Sequence, residues 1–313
     1  MIALALLASV GLCVATLALL NDPAIAAHAP AWFWAMVVAT WIAASYAVSR
    51  LSALKLTRLA QRLIDIAVPV LFGALVFYLW EVAVRGFGVP PVLLPAPSAI
   101  AARFISSLPT LGADFVQTFL RGVLSGYAIG CASGFLVAIA VDRIAFLRRG
   151  LLPLGNFVSA LPIVGIAPIM VMWFGFDWPS KAAVVVVMTF FPMLVNTVTG
   201  LSGAGQAERD LMRSYGAEYR QTLIKLRLPA AMPFVFNALK INSTLALIGA
   251  IVAEFFGTPI VGMGFRISIE AARMSLDMVW AEIVLAAIAG TAFYGVVALA
   301  ERAATFWHPS YRT

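Results

Sequence analysis

Charge is what this sequence has least of. Asp, Glu, Lys and Arg make up 11% of its 313 residues, while 63% are apolar and the mean hydropathy is +0.99. A soluble domain of this length needs far more polar surface to cover its core, so composition excludes that class. Cysteine is also scarce. Cys13 and Cys131 both lie inside apolar runs, where small packing residues are a better reading than a disulfide or a ligand. The two histidines, His28 and His308, have no Cys or His neighbour at metal-binding spacing, so no metal site is expected. No Gly-x-x-x-x-Gly-Lys-Ser/Thr loop occurs anywhere. Without it the chain has no cradle for a triphosphate, and neither a bound cofactor nor a catalytic residue is expected.

What is present is a series of long uncharged runs. A helix needs roughly 20 apolar residues to cross the hydrocarbon of a bilayer. Eight stretches come close, near 2–20, 31–48, 63–84, 118–141, 151–174, 182–202, 233–254 and 280–300. The fold class expected is an all-α polytopic membrane bundle. The first run resembles a secretion signal in its small-residue sites around Ala24-Ile25-Ala26 and Ala27-His28-Ala29, but it has no basic n-region and a second span follows at once. A retained helix is therefore preferred over a cleaved leader for residues 1–27.

Charge placement gives orientation. Four segments, Arg50 to Arg62, Arg143 to Arg149, Arg209 to Arg227 and the tail after Glu301, hold 14 of the 21 Lys and Arg residues. With eight spans all four fall on one side, which by the positive-inside rule is the cytoplasm, and both termini are expected there. The net charge of +7 is then a matter of membrane orientation. No basic and aromatic surface motif accompanies it, so nucleic acid is not an expected partner.

Within the spans, Gly122, Gly126, Gly130 and Gly134 recur at every fourth residue. That leaves a groove along one helix face where a second helix can approach closely. Pro153, Pro162, Pro168, Pro192, Pro229 and Pro233 interrupt the middle of the chain, and two readings stand: helices broken to line a pathway, or ordinary bends in a bundle. Polar residues inside spans are costly and are candidates for a pathway. They are Asn156, Ser159, Thr189, Asn196, Asn237, Lys240 and Thr244, with interhelical hydrogen bonding as the alternative for each. Lys240 is expected to snorkel to the cytoplasmic side. Glu254, at the other end of its span, is expected to pair with Arg266 or Arg273, as a gate or as a surface ion pair.

The most informative stretch connects the sixth and seventh spans, Ala207 to Pro229. It is rich in charge, yet Leu211, Tyr215, Tyr219, Leu223 and Leu226 follow a three-to-four residue spacing, which predicts an amphipathic segment outside the hydrocarbon. Gly216 divides it into two short helices. Such a lug suits docking into a groove of a soluble partner, and a helix resting on lipid headgroups is the alternative.

This stretch resembles the EAA loop of binding-protein-dependent permeases of the ATP-binding-cassette type. In that pattern a Glu-Ala-Ala triplet, three residues, a glycine, nine residues and Ile-x-Leu-Pro follow in order. Here Asp210, Leu211 and Met212 stand at the triplet, Gly216 at the glycine, and Leu226, Leu228 and Pro229 at the closing motif. Tyr215, Ala217 and Tyr219 flank the glycine. The triplet departs from the pattern; the glycine and the Leu-Pro keep its identity and spacing. Val89 to Ser98, Leu161 to Pro168, Ala253 to Gly257 and Gly262 to Gly264 are similar to the nitrate, sulfonate and taurine type of permease.

The resemblance implies a permease core over 63–302 with the coupling loop at 207–229, an N-terminal addition over 1–62 and a tail over 303–313. It implies a homodimer in the bacterial inner membrane, two ATPase subunits carrying ATP and magnesium, and a periplasmic substrate-binding protein. The cargo implied is a small anion such as a sulfonate, an aromatic acid, or a pyrimidine or flavin precursor. Leu201 to Gln206 nearly spells the signature of the ATPase subunits, but carries one extra alanine and reads as coincidence. An ion-gradient-driven transporter is the rival reading. It calls for paired ionisable residues at mid-membrane and an internal repeat, and neither is evident.

Overall fold

The computed structural model describes residues 2–22, 25, 29–53, 58–159, 161–257 and 260–307. His28, His308 and most of the terminal tail lie outside them. The described residues are almost wholly helical, as lipid demands of a spanning chain: with no water to bond, each backbone N–H and C=O must find a partner within its own helix. The helices are α1 (Ile2–Leu19), α2 (Ala31–Ser52), α3 (Arg58–Gly86), α4 (Pro97–Ser106), α5 (Leu108–Arg143), α6 (Ala145–Ser159), α7 (Ile163–Phe174), α8 (Trp178–Ser202), α9 (Gln206–Ser214), α10 (Tyr219–Glu254), α11 (Met263–Ala272) and α12 (Leu276–Ala304).

Six of these, α2, α3, α5, α8, α10 and α12, are long and apolar enough to cross a bilayer, and α1 and α7 contain shorter apolar helices. The expected continuous span over 151–174 is instead two helices, α6 and α7. Pro162 stands at the start of α7 in an extended conformation, φ −67° and ψ 122°, and the proline's missing donor and its restriction of the preceding residue end α6 there.

Two compact units emerge. One holds the chain up to Ser106 together with Met274–Ala281; the other holds Ser107–Arg273 and the chain from Glu282 onward. In the first, Leu20, Phe33, Val37, Leu75, Tyr78 and Val82 form a core, and the Thr16 and Tyr78 hydroxyls bond across it at 2.8 Å. In the second, α8 packs along both α5 and α10, the two most extensive helix pairings of the chain. Its core joins Phe119, Val123, Val185, Ala246, Leu247, Ala250, Met263 and Ala289.

The α5–α8 contact is a backbone approach. A Cβ placed on Gly126 would lie 2.6 Å from both the Ala182 carbonyl oxygen and Val185 Cβ. One on Gly134 would lie 2.5 Å from the Phe190 carbonyl oxygen. At Gly130 it would collide with Thr189 Oγ1 and meet the Val186 backbone at 3.0 Å. Gly122 is looser, with Lys181 Cβ at 3.4 Å, an ordinary contact. Small residues matter here because lipid tails are as apolar as leucine, so helices associate by close packing rather than by a hydrophobic drive. Gly126→Val is expected to destabilise the bundle by about 1–3 kcal/mol through overpacking, and Gly122→Ala to be tolerated. Thermal unfolding of the two purified variants in one detergent, followed by loss of the monodisperse peak, checks the difference.

Candidate functional site

The segment between α8 and α10 is built as a rigid projection. α9 ends at Tyr215, and Gly216 follows at φ +65°. The Gly216 N–H donates to the Arg213 carbonyl and the Ala217 N–H to the Met212 carbonyl, both at 2.9 Å. This is a Schellman closure, with glycine taking the left-handed position that costs other residues about 1 kcal/mol. No described residue lies within 4 Å of where its Cβ would be, so backbone conformation, not crowding, calls for glycine. Glu218 and Gln221 then form a reciprocal capping box that starts α10. Leu223–Arg227 is a π-helical segment, and Pro229 follows just beyond it, where irregular bonding tolerates its missing N–H.

Charged groups clamp this projection to the bundle. Asp142, near the end of α5, accepts Arg227 Nη1 at 2.7 Å and Nη2 at 2.5 Å, and the Tyr219 hydroxyl at 3.1 Å. Arg227 Nε also donates to the Leu201 carbonyl at 3.0 Å, and Arg209 Nη2 to that of Ser202 at 2.6 Å. Arg143 lies over the Tyr219 ring at 5.3 Å. The apolar ridge is not continuous. Leu223 is buried against Leu201 and Ala231, and Leu226 and Leu228 are half-buried, whereas Leu211 is 55% and Tyr215 80% exposed. Met212 and Ala217 are half-buried, and Asp210 is exposed beside Arg213 at 3.5 Å, a solvated pair worth little. Past Gly216, Tyr219, Leu223 and Arg227 thus tie the loop down, while α9 and its C-cap residue Tyr215 carry two bare apolar side chains.

The polar residues of the spans divide into three sets. Thr189 is buried and bonds the Val185 carbonyl at 2.8 Å; its own carbonyl receives Asn242 Nδ2 at 2.8 Å, next to Cys131 Sγ at 3.3 Å. Asn196 donates to the Pro192 carbonyl at 2.8 Å within its own helix. Asn237 and Thr244 are exposed, in a stripe with Phe234, Ile241 and Ile248 along one face of α10. Lys240 does not reach for solvent: its ammonium meets Glu301 at 2.7 Å, both half-buried or buried. The side chains of Asn156 and Ser159 lie outside the described residues.

Glu254 is 2% exposed and pairs with neither arginine expected for it. Its carboxylate accepts the Thr118 hydroxyl at 2.8 Å and the Gly264 N–H at 2.7 Å. Nearer carboxylates take the arginines: Arg266 Nε meets Asp114 at 2.9 Å, and Arg273 meets Glu270 at 3.3 Å. Gly262, at φ 141°, lets the Glu254 carboxylate rest on its backbone, where a Cβ would lie 2.6 Å from it, while its N–H donates to Asp114 at 2.6 Å. Met263 N–H closes the set on Thr118 Oγ1 at 2.8 Å. These bonds tie α11 to the end of α10 and to a π segment, Val116–Val123, of α5.

A clamped helical segment with an exposed apolar tip thus connects two of the long apolar spans, α8 and α10. Residues 126–306 match the family described as the binding-protein-dependent transport system inner membrane component. The chain belongs to that family. It is similar to the formylaminopyrimidine transport permease protein of Halalkalibacterium halodurans, 35% identical over 60% of this chain and 75% of that one. It is also similar to the riboflavin transport system permease protein of Chloroflexus aurantiacus, 28% identical over 75% and 88%, and to the taurine transport system permease protein of Escherichia coli, 27% identical over 73% and 85%. It is a multi-pass membrane protein and the permease subunit of an ATP-binding-cassette importer, of the nitrate, sulfonate and taurine type.

Several residues that organise this permease escaped a reading of the sequence. Asp142 and Arg227 are 85 positions apart, and the only trace of their pairing is that each ends or begins a span at the basic side. Thr118, Asp114 and Glu282 likewise lie far from Glu254 and Arg266 in sequence. Glu282 is fully buried beside the Asp114 carboxylate, and no donor among the described residues bonds its oxygens. Asp142→Asn is expected to loosen the loop by about 3 kcal/mol, since it leaves the half-buried Arg227 guanidinium without its counter-charge. Faster hydrogen exchange across 206–222, with exchange in α8 unchanged, is the signature to look for.

Proposed function

We propose that this permease works as a homodimer in the bacterial inner membrane, with both termini cytoplasmic, two ATPase subunits docked on its loops and a periplasmic binding protein delivering the solute. The chain divides, in this reading, into an N-terminal extension (1–62), the permease core (63–302) and a short tail (303–313). ATP and magnesium belong to the ATPase subunits, and this chain supplies the pathway and the mechanical link.

The exposure of Leu211 and Tyr215 on α9 carries the reading. Two large apolar side chains are bare on a loop whose flanks are fixed by Asp142, Arg227 and Arg209, and a rigid apolar tip of this kind suits a groove in a soluble partner. Because the clamp joins the loop to α5 and α8, a displacement of α9 becomes a displacement of the helices that meet at Gly126, Gly130 and Gly134. The exposed stripe of Asn237 and Thr244, with Phe234, Ile241 and Ile248, is the candidate lining of the pathway between two copies. Thr189, Asn196 and Lys240, whose bonds are made within the chain, serve packing on this view.

Leu211→Asp combined with Tyr215→Asp tests it. The two side chains are exposed, so the variant is expected to insert and to melt like the unchanged protein. Proteoliposomes containing it with the ATPase subunits and the binding protein are expected to lose ATP-driven uptake and the stimulation of ATP hydrolysis. Uptake that persists without any ATPase, driven by a proton or sodium gradient, overturns the proposal in favour of a secondary transporter. Gly216→Ala, which strains the left-handed position without filling occupied space, is expected to cost about 1 kcal/mol of loop order. It should reduce coupling without abolishing it, read as uptake per ATP hydrolysed.

A further inference from the structure

Arg121 stands inside the long apolar helix α5, in its π segment, yet its side chain is exposed and makes no ion pair within 4 Å among the described residues. At ~1.5 Å per residue, Arg121 lies about 33 Å along α5 from Arg143. That is the far edge of a hydrocarbon layer roughly 30 Å thick, at the end opposite the coupling loop.

One turn earlier, Gln117 is 7% exposed and bridges two charges. Its Oε1 accepts Arg121 Nη1 at 3.3 Å, and its Nε2 donates to Asp177 Oδ1 at 2.8 Å. Asp177 is the N-cap of α8, and Oδ1 also takes the Trp178 N–H at 2.7 Å. The hydrogen bonds from Gln117 and Trp178 hold its carboxyl below the usual carboxylate range, so it is ionised at neutral pH. Arg121 Nε and Nη2 and Asp177 Oδ2 are left without a hydrogen bond among the described residues. All three residues line one cleft of about 580 Å³, with Ala113, Val116 and Val261 among its apolar walls.

A buried amide here keeps an arginine and an aspartate on the same cleft from pairing with each other, so each retains hydrogen-bonding capacity toward it. We propose that this cleft is a binding subsite for a small dipolar solute, whose anionic oxygen group is held by Arg121 and whose amine or amide donor is held by Asp177. A plain anion would meet the guanidinium but also the repelling carboxylate, and a plain cation the reverse. A solute carrying both groups satisfies each charge with its opposite. The proposal rests on the reading of this chain as a solute-carrying permease and adds the solute class and the place where it enters.

The headgroup of phosphatidylethanolamine has the same dipolar chemistry at the same depth, so the test separates lipid from solute. The full chain is reconstituted in phosphatidylcholine vesicles without ATPase or binding protein, and the modification of Arg121 by phenylglyoxal is followed by mass spectrometry of its peptide. Aminoethanesulfonate is the probe, with ethanesulfonate as its amine-free counterpart. Protection by aminoethanesulfonate is expected to saturate, slowing modification about fivefold at about four times the half-protecting concentration, as simple occupancy requires. Ethanesulfonate should protect far less, and Asp177→Asn, which keeps a capping side chain, should erase the difference. No protection, equal protection by both probes in the unchanged protein, or protection only when phosphatidylethanolamine is added to the vesicles would each overturn the proposal. The assay contains no ATPase, so its failure leaves the importer reading standing. Loss of ATP dependence with protection intact overturns the importer reading and leaves the subsite.

Discussion

The backbone approach of α5 and α8 is the constraint on which the second unit depends. Gly126, Gly130 and Gly134 allow carbonyls and Cβ atoms of α8 to sit where side chains would otherwise stand, and α10 then packs on the other flank of α8. In lipid there is no hydrophobic force to hold helices together once they are inserted, so the close fit itself supplies much of the cohesion. A consequence is that the two ends of this stack are mechanically joined. What pulls on α5 and α8 at the Asp142 end is felt near Arg121 and Lys181, since helices held at backbone distance over several turns move as one body more readily than they shear.

Polar chemistry is sorted to the ends of that stack. At the basic end Asp142, Arg227 and Arg209 secure the loop; at the other, Thr118, Glu254, Asp114 and Arg266 secure α11. Both sets use a π-helical segment beside them, Leu223–Arg227 at one end and Val116–Val123 at the other. A π segment widens the helix and frees a carbonyl from regular bonding, and such bulges recur at functional sites. Between the two ends the Asn242 amide nitrogen donates to the Thr189 carbonyl and lies against Cys131 Sγ.

How much of this was legible in the sequence depended on the range of the physics involved. Span existence, the glycine repeat and the helix–glycine–helix loop are local patterns, set by periodicity and by one residue's conformational freedom. They could be written down from residues a few positions apart. Pro162 was visible as a breaker, but the chain of apolar residues around it suggested one span over 151–174; a single donor lost at the right place divided it. Glu254 is visible in the sequence as an acid at the end of a span, but its burial and its partners are not. Arg266 and Arg273 are near it in sequence, and the competing carboxylates Asp114 and Glu270 decide their pairing. Of these, Asp114 comes from another helix altogether. Arg121 gives no signal in the sequence for a similar reason: alone it is one basic residue in a long helix, and only the fold brings Asp177 and the buried Gln117 around the same cleft.

The two apolar side chains on α9 and its cap and the cleft near Arg121 are joined by the same helices, and this bears on how a permease whose sequence carries no P-loop can be driven. A partner that binds two arrangements of the loop with different strength shifts the balance between two arrangements of the bundle by that difference and no more. The clamp at Asp142 sets how much of the difference reaches α5. If Arg227 were free to swing, the loop would move and the spans would not. The bidentate contact, with Tyr219 added, removes that slack. On the proposed reading, coupling efficiency in this architecture would be a matter of stiffness at a few charged contacts, and solute choice a matter of which charges the far end leaves without partners.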